Sequence, residues 1–254
     1  TVQRHVEAMI AKARAVSTIR DTPRASTGME KAIHDQRPLR FCMVTTFYPP
    51  YHFGGDAIYI YRLSNELAKR GHSVDVIHNR EAYRFLAKED PESVFPNHYR
   101  VRIYPLEGGA GFLSLLLTQQ TGRPFLGGRS LEQKLNHGGY DVIHYHNMSL
   151  VGLKALTHGG GVKLYTTHEH WLICPMHVLW RYNREVCRKR SCVRCQVFGR
   201  RPPQLWRYTG FLKEMLRHVD AFISPSRFTL AKHLETGLDI PMAHIPYFLP
   251  RPRP

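Results

Sequence analysis

The chain has 254 residues, 43% of them hydrophobic, and 36 lysines and arginines against 20 acidic residues, a net charge of +16. That length and apolar content suit one large α/β domain with a tail and exclude wholesale disorder. The longest apolar run, GFLSLLLT at 111–118, is far too short to cross a bilayer. A surface this basic seeks polyanions: nucleic acid, anionic lipid headgroups or phosphorylated ligands.

In chain order, TVQRHVEAMIAKARAVSTIRD has neither the apolar core nor the cleavage site of a secretory signal. It begins without Met, as a trimmed chain would, and the expected location is cytoplasmic. Val2, Val6, Met9, Ile10, Ala13 and Val16 recur at helical spacing and predict an amphipathic helix over 1–19. Pro23, Gly28, Pro38 and many charges then read as a linker, so residues 1–39 form a helix and linker ahead of the folded body.

RFCMVTTF opens that body as a buried-type strand stopped by Pro49 and Pro50. GGDAIYIYRLSNELAKRGH follows as a helix, with Asp56 as its N-cap, Ile60, Leu63, Leu67 and Ala68 on one face, and Lys69, Arg70 and Gly71 closing it. SVDVIH, VRIYPL (101–106), DVIHYH (141–146), VKLYTTH (162–168), DAFISPS and MAHIPYF are the later strands. Helices are expected across 112–137 with an interruption at TGRPFLGG, and at SLVGLKALTHGG, QLWRYTGFLKEMLRHV and RFTLAKHLETG. Strands alternating with helices predict an α/β fold, a doubly wound parallel Rossmann-like sheet, with a Cys-rich insertion after the fifth strand.

In such a sheet ligands bind outside the carboxyl ends of the strands, where strand order reverses. Gly54-Gly55, between the first strand and its helix, can offer backbone N–H groups and a positive helix end to a phosphate, or serve only as a flexible tight turn. His146 and His168 each end a predicted strand and so share one rim with Glu169; a histidine there can bond a sugar hydroxyl or balance phosphate charge. Ser224 to Arg227 reach the same rim. GxxxxGK[ST], GxSxG and GxGxxG are absent, which disfavours a Walker loop, a nucleophile elbow and a dinucleotide cofactor.

FYPPYHFGGDAIYIYRLSNELAKRGHSVDVI resembles the opening of the family 4 glycosyltransferases, two-domain GT-B enzymes that are mostly retaining. DVIHYHN, VKLYTTHEHW, VDAFISPSRFTLAKHLETG and HIPYF continue the likeness in the family's order, over residues 40–248. The resemblance implies one half of a GT-B fold, the N-terminal, acceptor-side Rossmann-like domain. It implies that Gly54 and Gly55 approach donor diphosphate and acceptor, that His168 contacts the transferred sugar near the reaction centre, that His146 lies nearer the acceptor, and that Arg227 follows the S-x-S strand end. Asp56 and Glu169, at the same rim by their sequence positions, are further substrate-binding candidates. The resemblance also implies that no catalytic metal is required. In the family a second Rossmann domain, with an E-x7-E motif, holds the nucleotide; here the interdomain hinge would begin at 249–254. The expectation is therefore a nucleotide-sugar-dependent, polysaccharide-building transferase that is inert without a donor domain or a partner supplying one.

The insertion, 170–203, contains Cys174, Cys187, Cys192 and Cys195, spaced C-x12-C-x4-C-x2-C. Thiolates at this spacing suit a structural zinc ion, with an iron–sulfur cluster as the alternative and unmetallated thiols as the plain reading. Cys42 lies mid-strand and reads as core. Arg181, Arg184, Arg188, Lys189, Arg190, Arg194, Arg200, Arg201 and Arg207 surround the thiols, interleaved with Trp171, Trp180, Trp206 and Tyr182. They suit a lipid-linked or anionic acceptor, or peripheral contact at the inner membrane face. The alternative is a zinc-containing basic module that binds nucleic acid without catalysis.

Overall fold

The computed structural model describes residues 2–21, 37–107, 111–125, 127–237 and 240–248. Most of the expected linker, and the expected hinge at 249–254, lie outside the described residues.

Helix α1 (Val2–Asp21) precedes β1 (Arg40–Thr45), α2 (Gly55–Lys69), β2 (Ser73–Asn79), α3 (Arg80–Ala87), β3 (Val101–Leu106), α4 (Gly111–Thr121) and α5 (Gly128–His137). Then come β4 (Val142–Tyr145), β5 (Val162–Thr166), the insertion with β6 (Trp180–Arg181), β7 (Glu185–Val186) and α6 (Cys192–Phe198), then α7 (Phe211–Leu216), β8 (Ala221–Ser224), α8 (Arg227–Leu234) and β9 (Met242–His244). Seven strands form one parallel sheet in the order β3-β2-β1-β4-β5-β8-β9, while β6 and β7 pair antiparallel as a separate ribbon. The Rossmann-like expectation holds, and the order reverses between β1 and β4.

Strands β1, β4, β5 and β8 are buried almost residue for residue, because helices cover both faces and water reaches neither. One core cluster joins α1 and α2 to the sheet through Val6, Met9, Ile60, Leu63, Leu67 and Leu164. The other packs Leu131, Leu135, Leu156, Trp171, Met215 and Phe222 on the opposite face. The apolar stripe of α1 is thus buried at Val6, Met9 and Ala13, as its spacing predicts. Cys42 is fully buried core.

Three local departures have physical causes. Helix α3 was not anticipated; Asn79 caps it, its side chain accepting the Ala82 N–H at 3.0 Å. SLVGLKALTHGG forms only a 3₁₀ turn at Leu153–Thr157, because Gly152 sits at φ 96° directly against the Arg123–Pro124 backbone. The helix expected over QLWRYTGFLKEMLRHV breaks at Gly210, φ 75°, into a 3₁₀ turn at Leu205–Tyr208 and α7.

Candidate active site at the sheet switch point

The carboxyl ends of β1, β4 and β5 converge where the strand order reverses. Thr46 ties the loop after β1 to the loop after β4, its N–H and Oγ1–H both donating to the Asn147 carbonyl at 2.7 and 2.9 Å. Helix α2 begins at Gly55 with Gly54 as N-cap, so Asp56 is not the cap but a first-turn acid. Its Oδ1 accepts the Ala57 N–H at 2.8 Å and its Oδ2 accepts from Asn147 Nδ2 at 3.4 Å. That placement still complements the helix dipole. A Cβ added at Gly55 would meet no atom within 4 Å, whereas one at Gly54 would meet Asp56 Oδ1 at 3.2 Å. The open side of the turn is therefore at Gly55.

His146 and His168 come together as their strand-end positions predict. His146 Nδ1 lies 2.9 Å from His168 Nε2, and His168 Nδ1 lies 2.5 Å from the Tyr247 hydroxyl. The His146 and His168 rings stack with centroids 5.1 Å apart, and His168 stacks on Tyr247 at 5.7 Å. Behind them His144 bonds Thr166 Oγ1 at 2.7 Å. Burial disfavours the imidazolium at all three: it lowers His168 to about 4, against a small opposing pull from Asp56, and holds His144 and His146 well below their ordinary value. The row is a chain of neutral imidazoles near pH 7.

Tyr59, from the inner face of α2, packs edge-on to His168 at 5.5 Å and against Tyr247 at 4.6 Å. Its hydroxyl meets His5 Nε2 at 2.5 Å, while His5 Nδ1–H donates to the Pro246 carbonyl at 2.8 Å. With the proton fixed on Nδ1, Nε2 accepts from Tyr59, so α1 holds the wall of the site from behind.

Gly55, Asp56, Tyr59, Arg62, His168, Glu169, Tyr247 and Phe248 line one cavity of about 500 Å³. Glu169 Oε2 is held by His177 Nδ1 at 2.5 Å, a side chain supplied by the insertion. His146 stands behind His168, and Gly54 shapes the turn; neither lines the cavity. Arg227 is exposed at the start of α8, beyond the β8 end, and does not line it either. Sequence reasoning missed Tyr59, Arg62 and Tyr247. Tyr59 stands four residues after Gly55, one helical turn along the same face, a spacing that signals it.

The four insertion cysteines are free thiols, Cys174 and Cys195 buried, Cys187 and Cys192 half-buried. Trp171 and Trp206 are buried core, not open stacking faces; the Arg207 guanidinium lies over both rings at 5.0 and 4.7 Å. Trp180 alone of the three tryptophans is exposed.

A Rossmann-like sheet with a histidine, tyrosine and carboxylate cavity at its switch point defines an α/β ligand-handling domain. The profile of Glycosyltransferase Family 4 matches residues 53–248. The chain belongs to that family. A curated protein from Klebsiella pneumoniae, "Uncharacterized 42.6 kDa protein in cps region", is 23% identical over 214 residues, 78% of this chain and 52% of that protein. The chain thus spans about half the length of the curated relative it matches. A solved sucrose-phosphate synthase from Thermosynechococcus elongatus shares the fold at TM-score 0.52 and 19% identity, over 82% of this chain and 48% of the other. A second structure of that name gives TM-score 0.47 at 15% identity, over 82% and 89%. No helix among the described residues is long and apolar enough to cross a membrane.

Proposed function

We propose that this domain is the acceptor side of a retaining glycosyltransferase that moves a sugar from a nucleotide-sugar donor to a glycan or lipid-linked acceptor. A second domain or subunit holds the nucleotide. The observation that carries this reading is the make-up of the cavity: two carboxylates, Asp56 and Glu169, face a neutral imidazole, two phenols and one guanidinium, Arg62. Carboxylates accept hydrogen bonds from hydroxyls and repel phosphate, so this wall fits sugar hydroxyls. The diphosphate charge is left to groups on the facing half, with only the open Gly55 end of α2 approaching it.

His168 orients the transferred sugar. Its Nε2 is held by His146 and its Nδ1 by the Tyr247 hydroxyl, so a sugar hydroxyl takes the place of Tyr247 at Nδ1 while the ring stays neutral near pH 7. Tyr59 and Phe248 give the pyranose an apolar wall, and Glu169 positions the acceptor.

Arg184, Arg188, Lys189, Arg190, Arg194, Arg200 and Arg201 are exposed on the insertion beside Trp180, Val197 and Phe198. That combination suits peripheral contact with an anionic bilayer, each cation near the surface contributing about 1 kcal/mol. The buried Trp171 and Trp206 leave too little stacking surface to favour nucleic acid.

The test offers the full-length protein a panel of nucleotide sugars with glycan and lipid-linked acceptors. It reads nucleotide release and the anomeric configuration of the product. Acceptor-dependent release with the donor's configuration kept is expected; release with inverted configuration, or none with any donor, contradicts the reading.

A further inference from the structure

Within the insertion, Cys174 follows β5, Cys187 follows β7, and Cys192 and Cys195 stand at the start and in the middle of α6. The fold brings the four into one region, within electrostatic range: Cys187 of each of the other three thiols, and Cys192 of Cys174 and Cys195. Backbone groups already point at sulfur, the Tyr182 N–H donating to Cys195 Sγ at 3.4 Å.

A second feature stands beside them. Arg207 packs over Trp171 and Trp206; its Nε donates to Gln204 Oε1 at 2.6 Å and its Nη1 to the Leu172 carbonyl at 3.1 Å. Its Nη2 is buried with no partner. Cys174 and Cys192 are the leading electrostatic partners of its charge, and no salt bridge to a carboxylate is found for it among the described residues. A half-buried cation with one buried, unpaired nitrogen and no anion is costly, and neutral thiols do not offset it. Four thiolates on a divalent ion carry a net charge of −2, which a guanidinium and its arginine-rich surroundings match.

The insertion is held at its base, where Trp171, Leu172 and Gln196 are buried, but no residue from 178 to 191 is buried. Five of the six non-glycine residues with positive φ among the described residues, His177, Leu179, Tyr182, Asn183 and Arg200, lie in it; Lys88 is the sixth. Each such conformation costs about 1 kcal/mol. Two two-residue strands and a seven-residue helix bury too little to offset that cost.

We propose that Cys174, Cys187, Cys192 and Cys195 bind one zinc ion as a tetrahedral four-thiolate site, with the half-buried Arg207 as its counter-charge. Binding releases four protons, one per thiol, and forms four Zn–S bonds; no oxidant or reductant takes part. Among the described residues no three ligand side chains are already drawn up to hold an ion. Cys187 Sγ instead lies 3.9 Å from the Lys189 carbonyl, so closure requires side-chain rotation in the insertion. The ion would also brace the cavity described above. His170, Cys174 and His177 form one tight turn, the Cys174 N–H donating to the His170 carbonyl at 2.7 Å and the His177 N–H to the Cys174 carbonyl at 2.9 Å. His177 is the group that holds Glu169. The inference stands on the insertion alone and does not need the glycosyltransferase reading.

The test is metal content of the full-length protein purified under reducing conditions without added metal, with cobalt substitution of the same protein. About one zinc per chain is expected. Cobalt exchange should give a near-ultraviolet thiolate charge-transfer band and the visible bands of a tetrahedral ion. Chelation should open the 181–191 segment to protease while the sheet stays folded. The Cys192→Ser, Cys195→Ser double variant should lose at least about tenfold in zinc affinity. Less than a tenth of an ion per chain after zinc loading, a zinc content unchanged in the double variant, iron with sulfide, or a mass showing two disulfides would each overturn the proposal. The cobalt spectrum reads the wild type, so a variant that fails to fold leaves the test intact.

Discussion

The switch-point rim and the cysteine insertion lie on either side of Glu169 and are stabilised in opposite ways. In the rim each functional side chain is held by a partner from a distant element: His168 of the β5 end by His146 of the β4 end and by Tyr247 beyond β9, and Tyr59 of α2 by His5 of α1. The insertion makes mainly short-range bonds within itself, exposes most of its basic side chains, and has most of the left-handed non-glycine backbone. The rim inherits its precision from the sheet. The insertion needs a cross-link to be precise at all, and His177 passes whatever order it gains to Glu169.

The same truncation placed in the two regions should break them unequally. Phe222→Ala, in the fully buried β8, should cost about 3–5 kcal/mol in urea unfolding. Phe198→Ala, half exposed in the insertion, should cost less than about 1 kcal/mol. Equal losses would mean that the insertion is part of the main core.

Acid should weaken the rim along with the other buried histidines, His78 among them. The folded-state affinity of His168 for protons lies at about 4, below the 6.5 of an unconstrained histidine, and His144 and His146 are lowered too. Between those values the unfolded chain binds more protons than the folded one. Their contribution is therefore whole above pH 6.5 and lost as pH falls toward 4. Asp56, facing His168, opposes this only in part. Thermal melts across that window should show falling stability, and a flat profile would contradict neutral burial of the row.

Tyr59→Phe leaves His5 Nε2 without its donor and should cost about 1 kcal/mol by the same unfolding assay. His177→Ala should cost less than that in stability, because the Glu169 pair is partly solvated. It should nevertheless raise KM for the acceptor; an unchanged KM would uncouple the insertion from the cavity.

The rim was largely readable in advance, because strand ends are set by hydrophobic runs and a parallel sheet brings those ends to one place. His146 and His168 followed from that alone. Tyr59 and Tyr247 did not, since their role depends on which face of α2 turns inward and where the chain runs after β9. Asp56 stands two positions inside the cap expected of it, because Gly54 took the cap. In the insertion the four thiols were plain from spacing, but the burial of Trp171 and Trp206 beneath Arg207 was not. Those rings look like open stacking groups until Leu172 and Gln204 are seen to anchor the guanidinium over them.

The most direct measurement is steady-state turnover of the full-length enzyme with His168→Ala, on its best donor and acceptor, beside a thermal melt of the same variant. A fall in kcat of at least about 100-fold with the fold retained is predicted, since a preorganised contact to the reacting sugar is lost. Turnover equal to wild type would contradict the placement of sugar transfer at the switch-point cavity.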